Sequence, residues 1–299
     1  MSAPESLRSD SLAGFFMDRD SGVADRQDIS FIGPQRVFDL SQARCEVDSL
    51  ALGSCGSDYA PEVLGGNTFD YGYLHGRSVA AVGYSFCSAS AKCDRRLWDP
   101  AEFRVVDLIL GKQRTTRMGR GFLDAEFETF PAELQDKIRD YLQQGGNLFV
   151  SGCYPLSDLL SAGASAADSL FAREALHCTG AGQWTVCREP AVRRGRVMVV
   201  ASAADFSRGA YRFNSDWRRD CYRVETADRL EAVEGAFPVM RYAGGGVAAV
   251  AYDGSTTGDT GVSARSFVVG FPFESLRSEV ERDRLMHDVL QFLTGSKDY

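Results

Sequence analysis

The chain has 299 residues, with 33 Lys+Arg against 41 Asp+Glu (net charge −8), 44% apolar and 25% charged residues. That composition excludes wholesale disorder, and the acidic balance argues against a protein that tracks nucleic-acid phosphates. No apolar run reaches the length of a membrane span, and the opening MSAPESLRSD lacks the basic start and apolar stretch of a signal peptide. Residues 1–75 are rich in turn signals, at DRDSG (18–22), GSCGSD (53–58) and GGNTFDYG (65–72), with short strands predicted at Ile29–Ile32 and Arg36–Leu40. This segment is expected to pack on the main domain, residues 76–299, as a cover over its sheet. Asp18, Asp20 and Asp25 around Gly22 fail the EF-hand spacing and read as a solvated turn.

From residue 77 the pattern sharpens. Ser78–Val82 (SVAAV, before Gly83) and Phe103–Leu110 (FRVVDLIL, before Gly111) are predicted strands buried on both faces. Pro131 opens a helix whose stripe is Leu134, Ile138, Tyr141 and Leu142 and whose stop is Gly145. Asn147–Val150 is a strand, Ser157–Leu176 a helical region broken near Gly163, and Arg196–Ser202 a further strand. Phe237–Tyr242 and Val247–Tyr252 flank Gly244-Gly245-Gly246 as a hairpin, and Ser266–Gly270 is a last buried strand. A terminal helix follows, with Ser278 and Glu281 as a capping box, a stripe of Leu285, Val289, Phe292 and Leu293, and Gly295 as its stop. The predicted fold class is α/β: a mainly parallel sheet with helices on both faces and a late antiparallel hairpin.

The eight cysteines are Cys45, Cys55, Cys87, Cys93, Cys153, Cys178, Cys187 and Cys221, with no CxxC pair and no His at zinc-ligand spacing. No metal site and no cofactor is expected from them. They read either as small buried apolar side chains or as disulfides of an oxidising compartment. Only His75, His177 and His287 can supply an imidazole.

Ligands of open α/β sheets bind beyond the carboxyl ends of the strands. Those ends are Gly83-Tyr84-Ser85, Gly111-Lys112-Gln113, Ser151-Gly152-Cys153-Tyr154 and Phe271-Pro272-Phe273-Glu274. Gly83, Tyr84, Gln113 and Tyr154 are therefore candidate pocket residues. Cys153 follows an apolar strand and precedes a helical segment, the place where a nucleophile is presented and a helix N-terminus lowers a thiol pKa. Its plain alternative is a small residue at a tight turn. Gly111 could offer a backbone N–H to an oxyanion. Asp107, inside a strand, reads as a buried, hydrogen-bonded structural carboxylate.

The order DLILG, an amphipathic helix ending in Gly-Gly, a strand, Cys153 and a late GFPFES resembles the glutamine-amidotransferase-like superfamily, which implies a flavodoxin-like sheet. Gly111 and Cys153 match its oxyanion and nucleophile positions. The segment Gly270–Ser275 lacks the histidine of that pattern, and none of the three histidines takes an equivalent place along the chain. A narrower resemblance spans most of the chain. GFFMDRDSGVADRQDISFIG, GNTFDYGYLHG, VGYSFCSAS, VVDLILGKQ, LQDKIRDYLQQGGNLFVSG and VVGFPFESL…ERDRLMHDVLQFL are similar, in order, to the C-terminal region of secreted Bacteroidetes proteins labelled xanthan lyase. Those proteins often carry golvesin-like or fibronectin-type modules upstream and begin with a further strand that this chain lacks. The resemblance implies an excised part of an exported parent with upstream domains, located outside the cell, in the periplasm or at the cell surface.

Three functions follow as expectations. The first is an accessory or glycan-binding domain of a polysaccharide-associated protein, without the classical catalytic base. The second is a Cys153-dependent hydrolase or amidotransferase-like enzyme in which Glu274 replaces the missing base. The third is a lyase acting on an acidic polysaccharide, which needs a base and a cation beside a uronate. For that, Tyr71 and Tyr73, or the cluster Tyr211, Arg212 and Trp217, are the candidates, with Arg193-Arg194-Gly195-Arg196 offsetting the acidic charge. Paired glycosidase carboxylates cannot be assigned from spacing. A polysaccharide is the expected partner; nucleic acid and a membrane span are not expected.

Overall fold

The computed structural model describes residues 71–86, 103–112, 116–117, 125–126, 129–180, 186–187, 195–200, 203, 206–216, 223–254 and 263–295. The strands predicted at Ile29–Ile32 and Arg36–Leu40 lie outside them, as do Gln113 and Trp217 and the side chains of Tyr71 and Tyr73.

The first described element is a helix, α1 (Tyr71–Ala81), where a strand over Ser78–Val82 is expected. The reason is visible in its burial: His75 and Ser78 are buried, and Val79 and Val82 pack against the core. Those four stand at i, i+3, i+4 and i+7, a helical stripe that a polar first member disguises. After it come β1 (Val105–Gly111), the short pair β2 (Thr116–Arg117) and β3 (Ala125–Glu126), then α2 (Ala132–Gln143) and β4 (Asn147–Gly152). Helix α2 stops in a Schellman arrangement. Gly146 N–H donates to the Tyr141 carbonyl and Gly145 N–H to that of Leu142, with Gly145 at φ +85°. The helical region expected over 157–176 shrinks to α3 (Ala166–Glu174), opened by a capping box between Ser165 and Asp168.

The remaining strands are β5 (Cys178–Thr179), β6 (Val186–Cys187), β7 (Arg196–Val199), β8 (Ala210–Arg212), β9 (Ala227–Asp228), β10 (Glu231–Ala232), β11 (Ala236–Tyr242), β12 (Val247–Asp253) and β13 (Arg265–Val269). A 3₁₀ turn, Phe273–Ser275, leads to α4 (Glu279–Thr294), which ends at Gly295 in the left-handed region (φ +68°). The capping box expected there is not formed. Ser278 makes no side-chain cap, and Glu281 instead accepts from the Arg212 N–H at 3.1 Å.

Seven strands form one sheet in the order β1-β4-β13-β12-β11-β7-β8. Only β1/β4 and β4/β13 are parallel; β13/β12, β12/β11, β11/β7 and β7/β8 are antiparallel. The sheet is therefore mixed and mostly antiparallel, which corrects the expected mainly parallel, flavodoxin-like or amidotransferase-like architecture. Continuous apolar runs report burial on both faces, not strand direction: β12 and β7 run against the direction of β4 and β13, whereas β11 and β8 run with it.

Alternate residues of β4 serve two cores. Phe149, with Phe267 and Val269 of β13, faces α1 and the Leu285, Met286, Val289 and Leu293 stripe of α4. Leu148 and Val150, with Val268 and Val250, face Ile138 of α2 and Phe171 of α3. Helix α1 is tied to α4 by Ser78 Oγ donating to Asp283 at 2.7 Å and by an Arg77–Glu279 ion pair. Among the described residues no helix is long and apolar enough to cross a membrane.

Candidate functional site

Strands β1, β4 and β13 run parallel, so their carboxyl ends open on one edge. Gly111 sits there with φ +53°, where the β1/β4 register shifts. Its carbonyl accepts the Cys153 N–H at 2.8 Å, while the Cys153 carbonyl accepts from Asp228 N–H at 2.7 Å. Gly152 between them has no room for a side chain: a Cβ would lie 2.7 Å from Leu110 Cβ and 3.3 Å from the Gly111 carbonyl oxygen. Overpacking of that kind costs about 1–3 kcal/mol, so Gly152→Ala is expected to lower stability by that amount in chemical denaturation, and a neutral substitution would disprove this packing.

The turn after Cys153 is organised by Asp228. Its buried carboxylate accepts from Leu156 N–H (2.7 Å), Ser157 N–H (2.9 Å) and Ser157 Oγ (2.6 Å). Burial pushes the Asp228 carboxyl up to about 6, against which the hydrogen bonds from Ser157 and Leu156 act. Tyr154 is buried with its hydroxyl 2.5 Å from Thr226 Oγ1. Lys112 Nζ holds Glu225 at 2.8 Å and donates to the Arg223 carbonyl.

The Cys153 thiol is wholly buried. Burial pushes its pKa well up; Lys112 lowers it, and Glu274, Asp228 and Glu225 raise it further. The thiol is thus held protonated, the opposite of the helix-activated thiolate that its place in the sequence suggests. Cys178, the other free cysteine among the described residues, is likewise buried, and burial raises its pKa.

The feature that sequence reasoning missed is His75. It lies on α1, 199 residues before Glu274, yet its ring sits between Asp107 of β1 and Glu274 in the turn that follows β13. Nδ1–H donates to Asp107 Oδ2 at 2.6 Å and Nε2–H faces Glu274 Oε2 at 3.3 Å. Phe273 packs on the ring at 4.5 Å between centroids. His75 is 2% exposed. Burial alone would lower its pKa, but the charge and hydrogen bond of Asp107, then those of Glu274, outweigh it and raise the pKa to about 9. The ring is an imidazolium with both nitrogens engaged, so it offers no lone pair to a proton. Asp107 Oδ1 and Ser151 Oγ, on the same sheet face, are buried without a hydrogen-bond partner. The signal available in the sequence was Asp107 itself: a lone carboxylate in FRVVDLIL requires a buried counter-charge.

Other expected site residues disperse. Gly83 (φ +94°) ends α1, not a strand, and Tyr84 reaches Thr294 Oγ1 at 3.3 Å between α1 and α4. Tyr211 is fully buried under Arg284, whose guanidinium lies 4.4 Å from its ring, and burial raises its phenol to about 12. Arg212 faces the opposite way and is exposed, so Tyr211 and Arg212 do not form one cleft. His177, at φ +53°, stacks on Tyr252 at 3.4 Å, and burial lowers its pKa to about 4. His287 is half-exposed on α4 beside Asp288. Among the described residues no group of three or more His, Cys, Asp or Glu is arranged to hold a metal ion.

No family model and no curated protein matches the chain. Among solved structures it is similar to a cold-adapted β-galactosidase from Rahnella sp. R3, at 15% identity and TM-score 0.43, over 75% of this chain and 26% of that one. It is also similar to the mmIFT52 N-terminal domain (15% identity, TM-score 0.46, 77% of this chain and 92% of that one). A cytoplasmic protein from Salmonella typhimurium is similar at 14% identity and TM-score 0.45, over 73% and 85% of the two chains. The chain thus spans about a quarter of the β-galactosidase's length.

Proposed function

We propose that this chain is a non-catalytic accessory module that associates with glycans, part of a longer exported protein that acts on polysaccharide. The observation that carries the non-catalytic reading is the state of the two groups a thiol enzyme would use. Cys153 is buried and protonated, and His75 has both ring nitrogens committed to carboxylates. Nucleophilic catalysis needs a base with a free lone pair within reach of an accessible thiol. Glu274, the substitute base, is itself buried against His75. The ordered strings that resemble secreted proteins labelled xanthan lyase support the glycan side of the reading and a place outside the cytoplasm with upstream domains.

The expected result with an alkylating thiol probe is that Cys153 of the folded chain reacts at least a hundredfold more slowly than in denaturant at pH 8, and does not speed up at pH 6–7. A Cys153 that alkylates as fast as a free thiol would restore the hydrolase reading. Retention of the chain on a panel of immobilised plant and bacterial polysaccharides tests the other half, and retention on none would remove it.

A further inference from the structure

Among the described residues, α2 and α3 cover only part of one face of the sheet. Leu148, Val150, Val268 and Val250 lie under those helices, whereas no residue of β7 or β8 joins that core. At this end the inward side chains, Val197, Tyr211 and Tyr242, belong to the other core. Their neighbours point out: Arg196 and Met198 on β7, Arg212 on β8 and Arg241 on β11 are all exposed, Met198 at 47%. The register brings them together. Arg196 stands directly opposite Arg212, and Arg241 opposite Met198, which also faces Ala210. Arg241 reaches this face because the β11/β12 register shifts between Met240 and Arg241.

Like charges directly opposite on antiparallel strands repel, with Cβ atoms about 4.5–5.5 Å apart. Among the described residues none of these three guanidinium groups has a carboxylate partner; Glu281 touches only the Arg212 backbone N–H. Three unneutralised guanidinium groups on successive strands about 4.8 Å apart, around an apolar floor of Met198 and Ala210, oppose the net charge of −8. Guanidinium groups bind carboxylates through paired, parallel N–H donors, and the apolar floor suits the C–H face of a sugar ring.

We infer that the open face of β7, β8 and β11, centred on Arg196, Arg212 and Arg241, is a binding surface for an acidic polysaccharide whose uronate or other carboxylate groups pair with the three arginines. This deepens the module reading above and rests on it. A dense phosphate polymer takes its affinity from many neutralised phosphates along its length, more than three guanidinium groups supply.

The test is affinity electrophoresis of the full chain in gels containing polygalacturonate, xanthan, a neutral galactomannan or duplex DNA, at 20 and 200 mM salt. The expected result is retardation by the two acidic glycans that weakens at the higher salt. The triple variant R196S/R212S/R241S should lose at least tenfold in apparent affinity while its Tm stays at or above the parent's, because a repulsive cross-strand pair has been removed. A variant retained as strongly as the parent overturns the surface. Retention by galactomannan but by neither acidic glycan overturns this inference and leaves the module reading standing, and retention by no glycan removes both. Tighter retention by DNA than by polygalacturonate overturns the assigned partner.

Discussion

His75→Ala is expected to lower the unfolding free energy at pH 6 by about 3–5 kcal/mol, the cost of removing one partner from a buried charge pair. The substitution leaves Asp107 and Glu274 facing each other across a void, one of them wholly buried, with no counter-charge. Urea titration reads the loss, and a change below about 1 kcal/mol would show that the three groups are solvated or unpaired in solution. A triple variant H75L/D107N/E274Q should recover part of the loss, since apolar and neutral replacements of a complete buried ion pair are commonly tolerated.

The same group predicts a pH dependence with a definite sign. The folded state holds the His75 proton up to about pH 9, whereas the unfolded chain releases it near 6.5. Folding therefore binds a proton in that window. The stabilisation, on the order of 3 kcal/mol, is fully present below pH 6.5 and is lost as the pH rises through 9. In the H75A variant that alkaline decline should flatten. A parent chain whose stability rises between pH 7 and 9 would contradict the imidazolium assignment.

Asp228→Ala should follow closely in size, at about 3 kcal/mol or more, because two backbone N–H groups and a hydroxyl of the turn after Cys153 lose their acceptor together. Asp228→Asn keeps an acceptor and should cost less than half as much. Burial raises Asp228 to about 6, so its contribution is present below about pH 4 and falls as the pH rises through 6; the Asn variant should lack that limb. Equal losses in the two variants would mean that side-chain volume, not hydrogen bonding, holds the turn. Because the N–H groups of Leu156 and Ser157, just after Cys153, lose their acceptor, thiol accessibility should increase in D228A, which links this measurement to the alkylation test.

How much of this was legible depends on the distance over which each feature is decided. Helix α2, the β11/β12 hairpin and the αL stop at Gly295 are local, set by a 3.6-residue stripe, a Gly-rich turn and a C-terminal glycine, and their residues could be read in place. Strand direction is not local. FRVVDLIL and SFVVG are equally apolar whether their neighbours run with or against them, and so the mixed sheet was misjudged. Helix α1 was misread because SVAAV is a good strand string whose buried stripe begins at a histidine. The candidate site divides in the same way. Cys153, Gly111 and Glu274 could be placed at strand ends from their order, but their chemistry could not, since burial inverts the thiol's expected pKa. The Asp107–His75–Glu274 contacts span 32 and 199 residues, and only the lone carboxylate in an apolar strand hinted that a counter-ion existed. Arg212 was singled out beside Tyr211, but strand alternation sends the two to opposite faces.

The position of β13 has a consequence for how the chain acquires its shape during synthesis. Third in the sheet, it lies between β4 and β12, yet it is the last strand to be made. Ser266 pairs with Leu148, far earlier in the chain. Until residues 265–269 leave the ribosome, β4 and β12 each present an unpaired edge with apolar side chains, the form of intermediate that associates with other copies. Shortening the product before residue 265 should therefore give an aggregating fragment in place of a smaller folded one, and refolding of the full chain should be slow, as befits a sheet closed by its most distant contact.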